Sequence, residues 1–129
     1  DVFYHTDADR IDKVSPITLA NVGISALSSG LMLTNSSENT ARDVLRLTKQ
    51  AALKRLNTEG KLSLNAVQSG KNLADEREII WSWGYWYART LPKITDILHV
   101  PPSKGLIKEL NASLRQVGKA TLKEMGKLD

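Results

Sequence analysis

From Val14 to Ser37 the chain carries no charged residue, a run of 24 positions, and any fold must find cover for it. A bilayer-spanning helix needs about 20 predominantly apolar residues. Here Ser15, Thr18, Asn21, Ser25, Ser28, Ser29, Thr34 and Asn35, with Gly23 and Gly30, dilute the run. The reading taken is a helix surrounded on most sides by protein; a membrane is not the expected partner, and a span over residues 14–34 is the alternative. Ser15 supplies an N-cap and Pro16 a first helical residue. The apolar residues Ile17, Leu19, Ala20, Ile24, Leu27, Leu31 and Leu33 spread over more than one face. Asn21, Ser25 and Ser29 recur every four residues as a narrow polar strip suited to close helix approach.

Three further segments have helical periodicity. Asn35 and Glu38 have capping-box spacing, and a helix follows over about 38–57, with Gly60 as its stop. Ala41, Val44, Leu45, Thr48, Ala51, Ala52 and Leu56 form its apolar stripe, while Arg42, Arg46 and Lys49 sit together on the flank. Leu62 to Ser69 reads as a short helical turn ended by Gly70. Asn72 starts the next helix, to about residue 91, with Asp75, Glu76 and Glu78 early, where the helix dipole favours acids. Ile79, Ile80, Trp83, Trp86 and Tyr87 continue it at helical spacing, and Trp83, Trp86 and Tyr87 are its expected core anchors. A strand competes, because positions 81, 83, 85 and 87 are all aromatic; the start signals and Pro92 favour helix.

Lys93 to His99 fits two short turns, closed by Val100-Pro101-Pro102. Ser103 caps a last helix over 103–126. Ile107, Leu110, Leu114, Val117, Thr121 and Met125 step by three or four as a near-heptad seam, with Lys104, Lys108, Arg115, Lys119 and Lys123 opposite. The expected architecture is all-α: a four-helix bundle-like domain over 14–129 behind an N-terminal arm, 1–13.

Charge and composition exclude several functions. The chain of 129 residues has no cysteine, which removes disulfides, thiolate nucleophiles and Cys-based zinc sites. His5 and His99 are the only imidazoles, and Asp96 beside His99 reads as closing a short helix, so no metal and no cofactor are expected. Gly-x-Ser-x-Gly is absent, and Gly60-Lys61, Gly70-Lys71 and Gly126-Lys127 lack the spacing of a phosphate-binding loop. The chain is not expected to be an enzyme. No secretory signal is visible in the acidic start, and Asp1 in place of Met points to processing, trimming or a fragment.

The net charge is +4, and its distribution says more than its size. Residues 1–40 are net −3, 41–61 are net +4 and 101–129 are net +3. Basic stripes on amphipathic helices bind phosphate backbones without reading sequence. The candidate nucleic-acid contacts are Arg42, Arg46, Lys49, Lys108, Arg115, Lys119 and Lys123. Trp81 and Tyr85, off the expected buried face, join Ile107, Leu110, Leu114 and Val117 as candidate subunit contacts.

In layout, across most of its length, the chain resembles the small, helical, cysteine-free coat proteins of filamentous archaeal DNA viruses. The features that carry the resemblance are the 1–13 arm, Arg42/Arg46/Lys49 and the Lys104 to Lys123 stripe. It implies copies of the chain, alone or paired with a similar subunit, wrapping double-stranded DNA through its backbone, without catalysis, in a virion or host cytoplasm. Two rival functions remain: a helical adaptor whose seam docks another helix, and a membrane-associated assembly subunit using residues 14–34.

Overall fold

A computed structural model describes Arg10 and residues 15–129; the 1–13 arm otherwise lies outside the described residues. The chain is all-α, with four α-helices and, among the described residues, no strand. It divides into two units, residues 1–35 and 36–129.

In the first unit, α1 spans Pro16–Thr34. Ser15 Oγ accepts the Thr18 N–H at 3.3 Å, and Pro16 opens the first turn. At the far end Asn35 closes on the Leu31 carbonyl with both its backbone N–H and its side-chain amide, 3.1 and 3.0 Å. No residue of α1 is buried.

The second unit is built from α2 (Glu38–Gln68), α3 (Leu73–Thr90), a 3-10 helix (Leu91–Ile97) and α4 (Lys104–Met125). Its α2 corrects the sequence reading twice. The helix starts at Glu38 as expected, but its capping box lies two residues beyond Asn35: Ser37 Oγ accepts the Thr40 N–H, and Thr40 Oγ1 accepts the Ser37 N–H. It also runs straight through Gly60, which lies on the buried arc with Leu56 and Ser63. The true stop is Gly70, with φ of +89°. Lys71 N–H reaches Ala66 O and Gly70 N–H reaches Val67 O, the two bonds of a Schellman motif. Gly60 is retained for closeness, because a Cβ there would stand 3.0 Å from Glu124 Cβ.

Contacts along the helices fix their directions. Arg42 near the start of α2 reaches Glu109 near the start of α4, and Gly60 near its end meets Glu124 near the end of α4. These two helices therefore run parallel. Between them α3 runs the other way: Ser63 Oγ reaches the Glu76 carbonyl, Arg55 lies 4.1 Å over Trp83, and Gly84 meets Thr121. The 3-10 helix, begun at Leu91-Pro92, carries the chain back and buries Leu91 and Ile94, where two turns were expected.

The core is Ala41, Leu45, Ala52, Leu56, Ile80, Tyr87, Leu91, Ile94, Leu106, Leu110, Val117 and Leu128. Trp83 packs on it from the side. Trp86 does not belong there as expected: it is 53% exposed and meets Tyr87 edge-on at 4.8 Å. The arc that α3 buries is set by Ile80, Gly84 and Tyr87, and Trp86 is one step of about 100° off it.

Candidate nucleic-acid interface

The fold sorts the charges of α4 by face. Ser103 Oγ caps the helix on Leu106 N–H at 3.2 Å. Leu106, Leu110, Ser113, Val117, Thr121 and Glu124 point into the bundle. At 100° per residue, Lys104, Lys108, Arg115 and Lys119 then fall within about 60° of arc on the opposite side, with Lys123 one step further. At 1.5 Å per residue this row is about 28 Å long.

Both acids of α4 are engaged away from that row. Glu109 pairs with Arg42, and Glu124, buried beneath Gly60, takes the Lys127 ammonium at 2.5 Å. Among the described residues, none of Lys104, Lys108, Arg115, Lys119 and Lys123 has a carboxylate within ion-pair reach. Like charges in one row, with no counter-charge, repel each other, so a row of phosphates would relieve a strain already present.

The α2 cations border a groove of about 340 Å³ between α2 and α4, lined by Arg42, Arg46, Lys49, Asp43, Glu109 and Gln116, among others. Their availability differs. Arg42 holds Glu38 at 2.5 Å and also Glu109, which makes it a clasp between helix starts rather than a free phosphate ligand. Arg46 makes an exposed 3.4 Å contact with Asp43. Lys49 is half-buried and has no acidic partner among the described residues. The row Ala112, Gln116, Lys119 and Lys123 steps along one ridge of α4, so Lys119 and Lys123 prolong the wall that Ala112 and Gln116 give the groove.

Glu38 is the hub of the clasp. It accepts Ser103 Oγ at 2.6 Å, Arg42 at 2.5 Å and Ser103 N–H at 3.1 Å. The Ser103 hydroxyl, then Arg42, then the Ser103 N–H hold its carboxyl below the ordinary carboxylate range. A depressed folded value means that the stabilisation is present in full above the unfolded value near 4.5 and is lost as pH falls through the folded value. Melting of the wild type against Glu38→Gln should show a constant difference above about pH 5.5 that shrinks below the unfolded value. A difference that stays flat to pH 2 would show that Glu38 makes no such contribution. Arg42→Gln should lower stability by roughly 0.5–1 kcal/mol, the range of a partly exposed ion pair, with little change in the salt dependence of any polyanion binding.

No family model, curated protein or solved structure matches this chain. Function therefore rests on the arrangement of its own residues.

The candidate subunit contacts divide. Trp81 and Tyr85 are half exposed and border an apolar depression of about 210 Å³ floored by Gly84, Ala88, Gly118 and Thr121. Leu122, 65% exposed, forms its other rim. Leu110 and Val117, at 7% and 0% exposure, belong to the core and cannot meet a second subunit, while Leu114 packs against that core. Of the seam, Ile107 alone emerges, at 38%. The seam was read correctly as apolar but assigned to the wrong partner, because α2 and α3 already fill it. Leu122 was missed, since it stands off the three-four spacing, with Gly118 one turn before it as the only hint. Among the described residues no group of three His, Asp or Glu side chains could hold a metal ion.

Proposed function

We propose that the 36–129 unit binds nucleic acid through its phosphate backbone, without reading sequence, as a structural subunit acting in many copies. The observation that carries this reading is the α4 row of five cations, which has no acidic partner among the described residues while both acids of the same helix are engaged elsewhere. Point-like ammonium groups on long stems suit backbone phosphates, which demand charge more than a fixed geometry. Double-stranded DNA is the favoured polyanion, since a straight row on a rigid helix suits a regular backbone. A second copy is the expected neighbour at the Trp81, Tyr85 and Leu122 rim, where aromatic side chains would bury area around a glycine floor. Catalysis has no part in this reading.

The test is anisotropy of labelled duplex DNA, single-stranded DNA and RNA from 50 to about 300 mM salt. Sequence-independent binding that weakens steeply with salt is the expected result. No binding at the lowest salt would reduce the α4 row to a solvated face. The apolar rim would then favour the adaptor function, with a heterocomplex indifferent to nucleic acid.

A further inference from the structure

We infer that α1 crosses a lipid bilayer as a single span, a property separate from polyanion binding by the 36–129 unit. The helix is 19 residues long, an 18-residue stretch of it has a mean hydropathy of 1.4, and among the described residues its own unit buries none of it. At 1.5 Å per residue it measures about 28 Å, close to the roughly 30 Å hydrocarbon thickness of a bilayer. The run without charge extends past both its ends, from Val14 to Ser37, and stops at Lys13 and Glu38. Charge is thus absent over the length that a bilayer excludes it from, and it returns on both sides.

The distribution of side chains around α1 selects a span over a surface-lying helix. Ile17, Leu19, Val22, Ile24, Leu27, Leu31 and Leu33 are all exposed. With Ala20 and Ala26 they cover about 220° of the circumference at 100° per residue. A helix lying in the headgroup plane needs a charged face opposite its apolar one, and α1 has none. Its remaining arc carries the uncharged Thr18, Asn21, Ser25, Ser28 and Ser29, with Met32 among them. Ser29 Oγ donates to the Ser25 carbonyl at 2.8 Å and Thr34 Oγ1 to the Gly30 carbonyl at 3.0 Å. Bonding of this kind to the helix's own carbonyls satisfies these two hydroxyl donors in hydrocarbon. A groove on a protein partner would cover one side of such a helix and leave the rest of the apolar arc in water, whereas lipid covers every side.

The experiment is density-gradient flotation of the full chain with vesicles of phosphatidylcholine alone, whose zero net charge gives the α4 row nothing to bind. The expected result is that the chain floats, remains with the vesicles in 1 M salt and is released by detergent. Leu27→Arg, near mid-span, should lower the vesicle partition coefficient about a hundredfold, from the cost of an arginine at a helix centre. Leu27 is exposed, so the bundle is expected to fold unchanged, and far-ultraviolet circular dichroism of the variant checks this. A chain that stays at the bottom of the gradient, is stripped by salt, or floats equally well as Leu27→Arg overturns the span. So does a Leu27→Arg variant that alters oligomer size without vesicles, since protein would then be the cover.

Discussion

Replacing Lys108, Arg115, Lys119 and Lys123 together by Gln should lower duplex affinity roughly a thousandfold at about 0.1 M salt, with an equal effect on every sequence tested. The expectation follows from counterion release. Each phosphate neutralised contributes about −0.9 to the slope of log affinity against log salt, so four lost contacts should flatten that slope by about 3.6. The affinity loss at a given salt and the change of slope come from one cause, and each checks the other. All four side chains are exposed and have no ion-pair partner among the described residues, so the melting temperature should hold or rise slightly as mutual repulsion is relieved. Lys93→Gln serves as a control, because Lys93 lies on the 3-10 helix rather than α4 and its ammonium stands 3.6 Å from Asp96. If the quadruple variant keeps the wild-type slope, the α4 row does not touch phosphate and the proposed function fails. A fall in affinity with no change of slope would point instead to lost structure.

Much of this fold was legible because helices advertise themselves. Ser15-Pro16, Asn72 and Ser103 cap where the spacing places them, and Leu106, Leu110, Val117 and Thr121 point inward as their periodicity requires. Glycine was the weak point. Taken alone, Gly60 and Gly70 are equivalent stop signals, and only tertiary packing separates them. One sits beneath Glu124 inside a continuous helix; the other adopts the left-handed conformation that ends it. The same limit applies to partners. Periodicity shows that Leu110 and Val117 face something apolar, but not whether that surface belongs to the same chain or to another. It showed Arg42, Arg46 and Lys49 as one patch, yet Glu109 and Glu38 capture Arg42 from positions that no local pattern connects. For α1 the charge-free run shows that cover is needed but not what supplies it, and among the described residues nothing in its own unit buries it.

Gly84→Ala and Gly118→Ala should have opposite signs, although both exchange glycine for alanine within a helix on the α3/α4 side of the bundle. An alanine gains about 1 kcal/mol of helix propensity over glycine at either site. At Gly118 a Cβ would meet nothing within 4 Å, so that gain should appear nearly whole and raise the melting temperature by several degrees. At Gly84 a Cβ would stand 2.6 Å from Thr121 Cγ2 and 2.9 Å from Thr121 Cβ. Thr121 cannot turn aside freely, because its χ1 is stiff and its hydroxyl is bonded to the Val117 carbonyl at 2.9 Å. The clash is therefore relieved by separating α3 from α4, which opens the core around Ile80, Tyr87 and Val117. Overpacking of this kind costs about 3 kcal/mol and overrides the propensity gain, for a net loss of about 2 kcal/mol. In a small domain that corresponds to a melting temperature lower by roughly 10 °C. Thr121→Ala in the Gly84→Ala background should recover part of the loss, since it removes Cγ2 and the hydroxyl but leaves Cβ in place. Thermal melts followed at the helical dichroism band test all three variants. If Gly84→Ala is as stabilising as Gly118→Ala, the close approach of α3 to α4 is absent in solution, and with it the glycine floor beneath Trp81 and Tyr85.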